Sequence, residues 1–124
     1  MSNLTKFNLT LENLINDLIL VFPDYKNLLI FKEKFILLKG SNPRIIMTYF
    51  KNTVFQYKEQ INNKDNNFFL EKDYDEDVYI ENEQWALDEV LNLKVLWKKL
   101  TEENKETVWS YFQILIKLCE LDQS

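Results

Sequence analysis

Apolar residues recur at intervals of three and four along almost the whole chain, and a period near 3.6 puts them on one face of a helix. Leu4, Phe7, Leu11, Leu14, Leu18 and Val21 form one such stripe, predicting a helix from about Asn3 to Phe22 that Pro23 ends. Asp24 offers an N-cap carboxylate to a second helix carrying Leu28, Phe31, Phe35 and Leu38. That helix is expected to stop at Gly40, the only glycine, where a left-handed residue after the last turn is wanted. Asn42 before Pro43 opens a third helix, from Pro43 to about Gln60, with Ile46, Tyr49, Phe50, Thr53 and Tyr57 inward. Asn62 to Asn67 is a polar break, and Phe68 to Leu70 a short apolar plug. Asn82 caps a fourth helix striped by Ala86, Val90, Leu93, Trp97 and Leu100. Thr101, followed by Glu102 and Glu103, caps a fifth that turns Val108, Phe112, Leu115 and Cys119 inward and forms a tight αα-hairpin with the fourth.

Period-two alternation bounded by turns is missing, so the expected fold is all-α. At 124 residues the chain fits one domain, 1–124. We expect a compact bundle of about five helices, with an acidic connecting segment over about 62–83 between helices three and four. Leu14, Leu18, Leu28, Phe35, Phe50, Leu93, Trp97, Phe112 and Leu115 should be among its most buried residues.

Composition removes several kinds of chemistry. With no histidine and one cysteine, Cys119, the chain lacks the residues for a zinc site, a Ser-His or Cys-His nucleophile, haem attachment or a disulfide framework. The amino terminus has no basic region followed by an apolar run, and the longest uncharged apolar stretches fall short of the roughly 20 residues a bilayer requires. These features predict a cytoplasmic protein in a reducing compartment, with Cys119 a small core residue. Ala and Arg occur once each, at Ala86 and Arg44, while Asn, Lys, Ile and Phe are plentiful, the usage of an AT-rich genome.

Charge is unevenly distributed. Residues 1–64 hold nine basic and five acidic side chains, residues 65–124 six and fifteen, so the halves carry +4 and −9 and sum to −5. Seven carboxylates stand between Glu71 and Glu83 against one Lys72, the composition of a solvated loop. Asp73, Asp75 and Asp77 occupy positions one, three and five of an EF-hand-like pattern. Val78 then stands where the turn needs glycine, and Gln84 where the bidentate glutamate belongs. No metal site is expected there. Carboxylates could also serve magnesium-dependent or glycosidase chemistry, but these cluster in one segment, without a Gly-rich phosphate loop. The chain is therefore expected to be no enzyme and to need no cofactor.

Phe22-Pro23, Asn42-Pro43, Tyr57 with Ile61 before Lys64-Asp65, Phe68-Phe69-Leu70, Leu93-Lys94 with Trp97 and Leu100, Asn104-Lys105 and Trp109-Ser110-Tyr111 recur together across nearly the whole chain. In this pattern the chain resembles a small helical protein recurrent in nucleocytoplasmic large DNA viruses, with Asn66-Asn67 and Phe112 departing from it. The resemblance implies a giant-virus context, in host cytoplasm or virion, and no activity.

Two functional expectations follow. The first is a protein-interaction module, a viral accessory, virion or adaptor protein, contacting an unidentified protein through Tyr74, Asp75, Asp77, Tyr79 and Trp85, where acidic steering and aromatic anchors alternate. The alternative is a nucleic-acid-associated factor that meets phosphates through Lys26, Lys34 and Lys39 on the second helix and Arg44, Lys51 and Lys58, seven residues apart, on the third. Against the alternative stands the prospect that these cations meet the protein's own acidic loop or only solvate a helix face.

Overall fold

The computed structural model describes residues 1–70 and 93–122, and of 69, 70 and 93–95 the backbone alone. Among them no strand occurs. The elements are α1 (Asn3–Val21), α2 (Lys26–Ser41), α3 (Ile45–Thr53), a single 3₁₀ turn (Phe55–Tyr57), α4 (Lys58–Asn62), α5 (Asn67–Leu70), α6 (Leu93–Lys99) and α7 (Glu102–Leu121). They pack into one all-helical bundle with a continuous apolar core. The acidic run Glu71–Glu83, the EF-hand-like aspartates, and Asn82, Ala86 and Val90 lie outside the described residues.

The first and last helices form the spine. Ser2 caps α1 by accepting the Thr5 backbone N–H on its hydroxyl, and Thr101 caps α7 by accepting that of Asn104 at 3.1 Å. Glu102 and Glu103 occupy the first turn of α7, where the helix dipole favours negative charge. The two helices run antiparallel and pack more extensively than any other pair of described helices. Asn3 Nδ2 donates to the Leu121 carbonyl at one end, and the Tyr111 hydroxyl donates to Asp17 nearer the other. Leu14, Leu18, Leu28, Phe35, Phe50, Trp97, Phe112 and Leu115 are all buried, as the stripes predict. Leu93, the remaining one, is among the side chains not described. Val21, at the last turn of α1, is exposed rather than inward.

The interior is aromatic through its middle. Phe7 meets Phe50 edge-on at 5.3 Å between ring centroids, Phe50 stacks on Phe112 at 6.3 Å, and Phe68 meets Phe112 at 6.0 Å. Phe68 thus fills the plug position expected of it. Trp97 and Trp109 meet edge-to-face at 5.1 Å across the short α6–α7 turn.

Helix ends depart from expectation in four places. Asp24 does not cap α2; the helix begins after Tyr25 with no side-chain cap. Gly40 is not left-handed: it sits inside α2, which runs on to Ser41. The reason is local. The Ser41 hydroxyl donates to the Leu37 and Leu38 carbonyls and the Asn42 N–H to Leu38, so the last carbonyls are satisfied without a left-handed residue, while Pro43 keeps Asn42 out of the helical region and stops the helix.

The left-handed residue is Lys64, at φ 54°. Its N–H donates to the Ile61 carbonyl and that of Asp65 to Gln60, the paired bonds of a Schellman turn that ends α4. Nor does the third helix run unbroken from Pro43 to Gln60. Arg44, not Asn42, occupies the N-cap position, and the helix yields at Val54 to a 3₁₀ turn before α4. The side chain of Thr53 bonds back to the Tyr49 carbonyl at 2.8 Å, and the β-branched Thr53-Val54 pair disfavours continuation.

Candidate functional site

The +4 and −9 halves of the sequence meet each other in the fold. Arg44, Lys51, Lys58 and Lys64 follow the line of α3 and α4, and the antiparallel α7 presents Glu106, Gln113 and Glu120, also seven apart, followed by Asp122. Lys64 pairs with Glu106 at 2.6 Å and Lys58 with Glu120 at 2.7 Å. Between them, Gln113 Nε2 donates to the Ile61 and Asn62 carbonyls at 3.3 and 3.4 Å. Asp122 takes two cations at once, Lys51 Nζ at 2.6 Å and Arg44 Nη1 at 2.8 Å, and its own side chain is only 9% exposed. The hydrogen bond from Lys58 holds the Glu120 carboxyl below its ordinary value. Among the described residues, the helix-three cations meet the protein's own acids on the last helix and at its C-cap, while the acidic segment lies outside the described residues.

On α2, Lys39 pairs with Glu12 of α1 at 2.8 Å and lies over the Phe35 ring at 5.8 Å. Lys34 is half-buried, and Lys26 is exposed at the start of the helix. Four of the six phosphate-binding candidates, Lys39, Arg44, Lys51 and Lys58, therefore sit against carboxylates, a poor arrangement for a phosphate, which would first have to displace an anion. The five interaction candidates, Tyr74, Asp75, Asp77, Tyr79 and Trp85, lie outside the described residues.

Among the described residues no group of three or more Cys, Asp and Glu could hold a metal ion, and no helix is long and apolar enough to cross a membrane. Cys119 is buried on α7, and burial pushes its thiol up to about 11, opposed by nearby Lys51. A thiol so protonated is a poor nucleophile near neutral pH. Tyr111 is pushed up to about 12, chiefly by burial, then by its hydrogen bond to Asp17 and that residue's negative charge.

Among the described residues, two depressions stand out. One, of about 30 Å³, lies between α1 and the start of α7. The other, a groove of about 330 Å³, runs between α1 and the α2–α3 junction and is lined by Thr5, Asn8, Leu9, Glu12, Lys39 and Pro43. Asn8 is buried; its amide nitrogen donates to the Pro43 carbonyl at 2.8 Å, while its Oδ1 has no partner. Its ionisable pair, Lys39 and Glu12, is already mutually engaged.

The feature that stripe reading missed is on the other side of α2. Leu28, Phe31, Phe35 and Leu38 face the core as expected, but Leu29, Ile30, Ile36 and Leu37 face outward at 43, 45, 46 and 73% exposure. An amphipathic surface helix turns polar groups to water; this one is apolar on both sides. The signal was present in the sequence, since eight of the eleven residues from Leu28 to Leu38 are apolar, too many for a single stripe. Comparisons with family models, with curated proteins and with solved structures return no match.

Proposed function

We propose that this chain is a non-enzymatic protein-interaction module that works through the outward face of α2. The supporting observation is the cluster Leu29, Ile30, Ile36 and Leu37, four large aliphatic side chains gathered on one exposed helical face. Scattered apolar residues on a surface are ordinary, but a contiguous group marks a place where another surface is met. The acidic and aromatic residues Tyr74, Asp75, Asp77, Tyr79 and Trp85 form a second contact region in this proposal. An accessory, virion or adaptor role in host cytoplasm or particle rests on the sequence resemblance to giant-virus proteins alone.

Phosphate binding through Lys26, Lys34, Lys39, Arg44, Lys51 and Lys58 is the weaker reading, because the pairs with Glu12, Glu120 and Asp122 already occupy most of these cations. A photo-crosslinking residue placed in turn at Leu37, Tyr79 and, as a control, the exposed Ser110 of α7 tests the proposal. Protein adducts at Leu37 and none at Ser110 are expected. Absence of adducts at both Leu37 and Tyr79, together with salt-sensitive retention on nucleic acid that Lys26→Glu abolishes, would favour phosphate binding instead.

A further inference from the structure

From Leu28 to Leu38 the sequence reads the same in both directions: Leu-Leu-Ile-Phe-Lys-Glu-Lys-Phe-Ile-Leu-Leu, centred on Glu33. The fold divides this palindrome between two faces. Its inner members, Leu28, Phe31, Phe35 and Leu38, are buried, and its outer apolar members, Leu29, Ile30, Ile36 and Leu37, are exposed. At about 100° per residue the outer four all lie within about 60° of Glu33 around the helix, two toward each end. An antiparallel copy of the helix, related by a two-fold axis at Glu33, brings residue 29 opposite 37 and 30 opposite 36. In most helices such pairing sets unlike residues together. Here it sets apolar on apolar at both ends and charge beside charge in the middle.

We infer that the outward face of α2 is a self-association site whose occupant is a second copy of this chain, its α2 laid antiparallel across the first. The inference rests on the reading of this face as an interaction surface and names its partner. Leu29 and Ile30 of one copy pack against Ile36 and Leu37 of the other, and the contact occurs twice, as two-fold symmetry requires. Electrostatics agree. The two central Glu33 carboxylates would repel if alone, but Lys32 and Lys34 flank Glu33 on each copy, so four ammonium groups border two carboxylates. A second copy needs a face that is complementary to itself under a two-fold axis, which this palindromic face is; a partner of different sequence places no such demand. The face is small beside the ~800 Å² per partner of a standard interface, so the dimer is weak and exchanging.

Sedimentation velocity on the purified chain, from about 1 µM to about 1 mM, tests this. A concentration-dependent shift from monomer to dimer is expected. Ile30→Glu with Leu37→Glu should hold the chain monomeric throughout, with an unchanged circular dichroism spectrum, because both residues are exposed. Glu33→Leu, which joins the two apolar ends into one continuous face, should tighten the dimer at least tenfold. A wild-type chain that stays monomeric to the highest concentration overturns the inference, and so does a dimer that the Ile30→Glu, Leu37→Glu variant leaves intact. A photo-crosslinker at Leu37 separates the two levels. An adduct to Leu29 or Ile30 of a second copy supports self-association, an adduct only to a different protein overturns it while keeping the interaction face, and the lack of any adduct removes both.

Discussion

Helices α2 and α7 are of similar length and lie in the same bundle, yet they use their surfaces differently. α7 buries Val108, Trp109, Phe112, Leu115, Ile116, Leu118 and Cys119, and turns Glu103, Glu106, Thr107 and Ser110 to solvent. Its charged edge is tied down by the cations of α3 and α4. α2 buries only Leu28, Phe31, Phe35 and Leu38 and keeps a second apolar set outside. The difference teaches that α7 leaves two large apolar side chains outside, Ile114 and Leu121, whereas the shorter α2 leaves four gathered on one face. Burial of aliphatic area is worth about 25 cal/mol per Å², so the uncovered set is a standing driving force for association.

The contrast can be broken most decisively within α2. Phe35→Ala, at a fully buried ring that stacks on Phe31, should cost about 3–5 kcal/mol in urea denaturation, while Leu37→Ala should change monomer stability by less than about 0.5 kcal/mol. Equal losses would mean that the two faces of α2 are not different. At the C-cap of α7, Asp122→Ala leaves Arg44 and Lys51 without their shared carboxylate; because both cations are partly solvated, a loss of about 1–2 kcal/mol is expected from thermal melts.

Thr101→Ala removes the only side-chain cap of α7 and should cost about 1 kcal/mol, visible as faster amide exchange at Asn104. Gly40→Ala should act in the opposite sense, adding about 0.5–1 kcal/mol, since Gly40 is helical and an added methyl meets nothing within 4 Å. Destabilisation there would restore the left-handed role first expected of this glycine. Smallest at neutral pH is the Tyr111 contribution. Its pKa is raised on folding from 10.0 to about 12, so the folded state holds the phenolic proton longer than the unfolded one. Stability is unaffected below about pH 10 and falls as pH rises between the two values. Tyr111→Phe should flatten that alkaline limb of the melting-temperature profile.

Much of this was legible in the residues themselves. Thr101 with its following glutamates marks the start of α7 because capping is a local exchange between one side chain and one backbone N–H. The stripes of α1, α2 and α7 correctly nominate most of the core because period alone decides which side chains share a face. What escaped depends on alternatives that sequence spacing does not rank. Gly40 is permissive, not obligatory, for a left-handed turn, and Ser41 with Pro43 provides another way to end the helix, while Lys64 accepts the strained conformation where the chain must turn toward α5. The break at Val54 has no glycine or proline to announce it. The ladder from Glu106 to Asp122 joins residues 42 to 78 positions apart, and only tertiary geometry tells which anion each lysine finds. As for α2, identifying one buried stripe hid the second apolar face beside it.

The pairing of α1 with α7 also has a consequence in time. A chain emerging from the ribosome makes α1 first and α7 last among the described helices, so the partner that α1 packs on most heavily is not yet present while α2 to α4 are forming. Domains fold as the necessary segments become available, at synthesis rates of about 5–20 residues per second. For several seconds, then, α1 lacks the largest part of its native cover, and the nascent chain depends on slow closure between distant segments to complete it. Self-recognition through the exposed half of α2 would have to wait for that closure, or begin before it between neighbouring nascent chains.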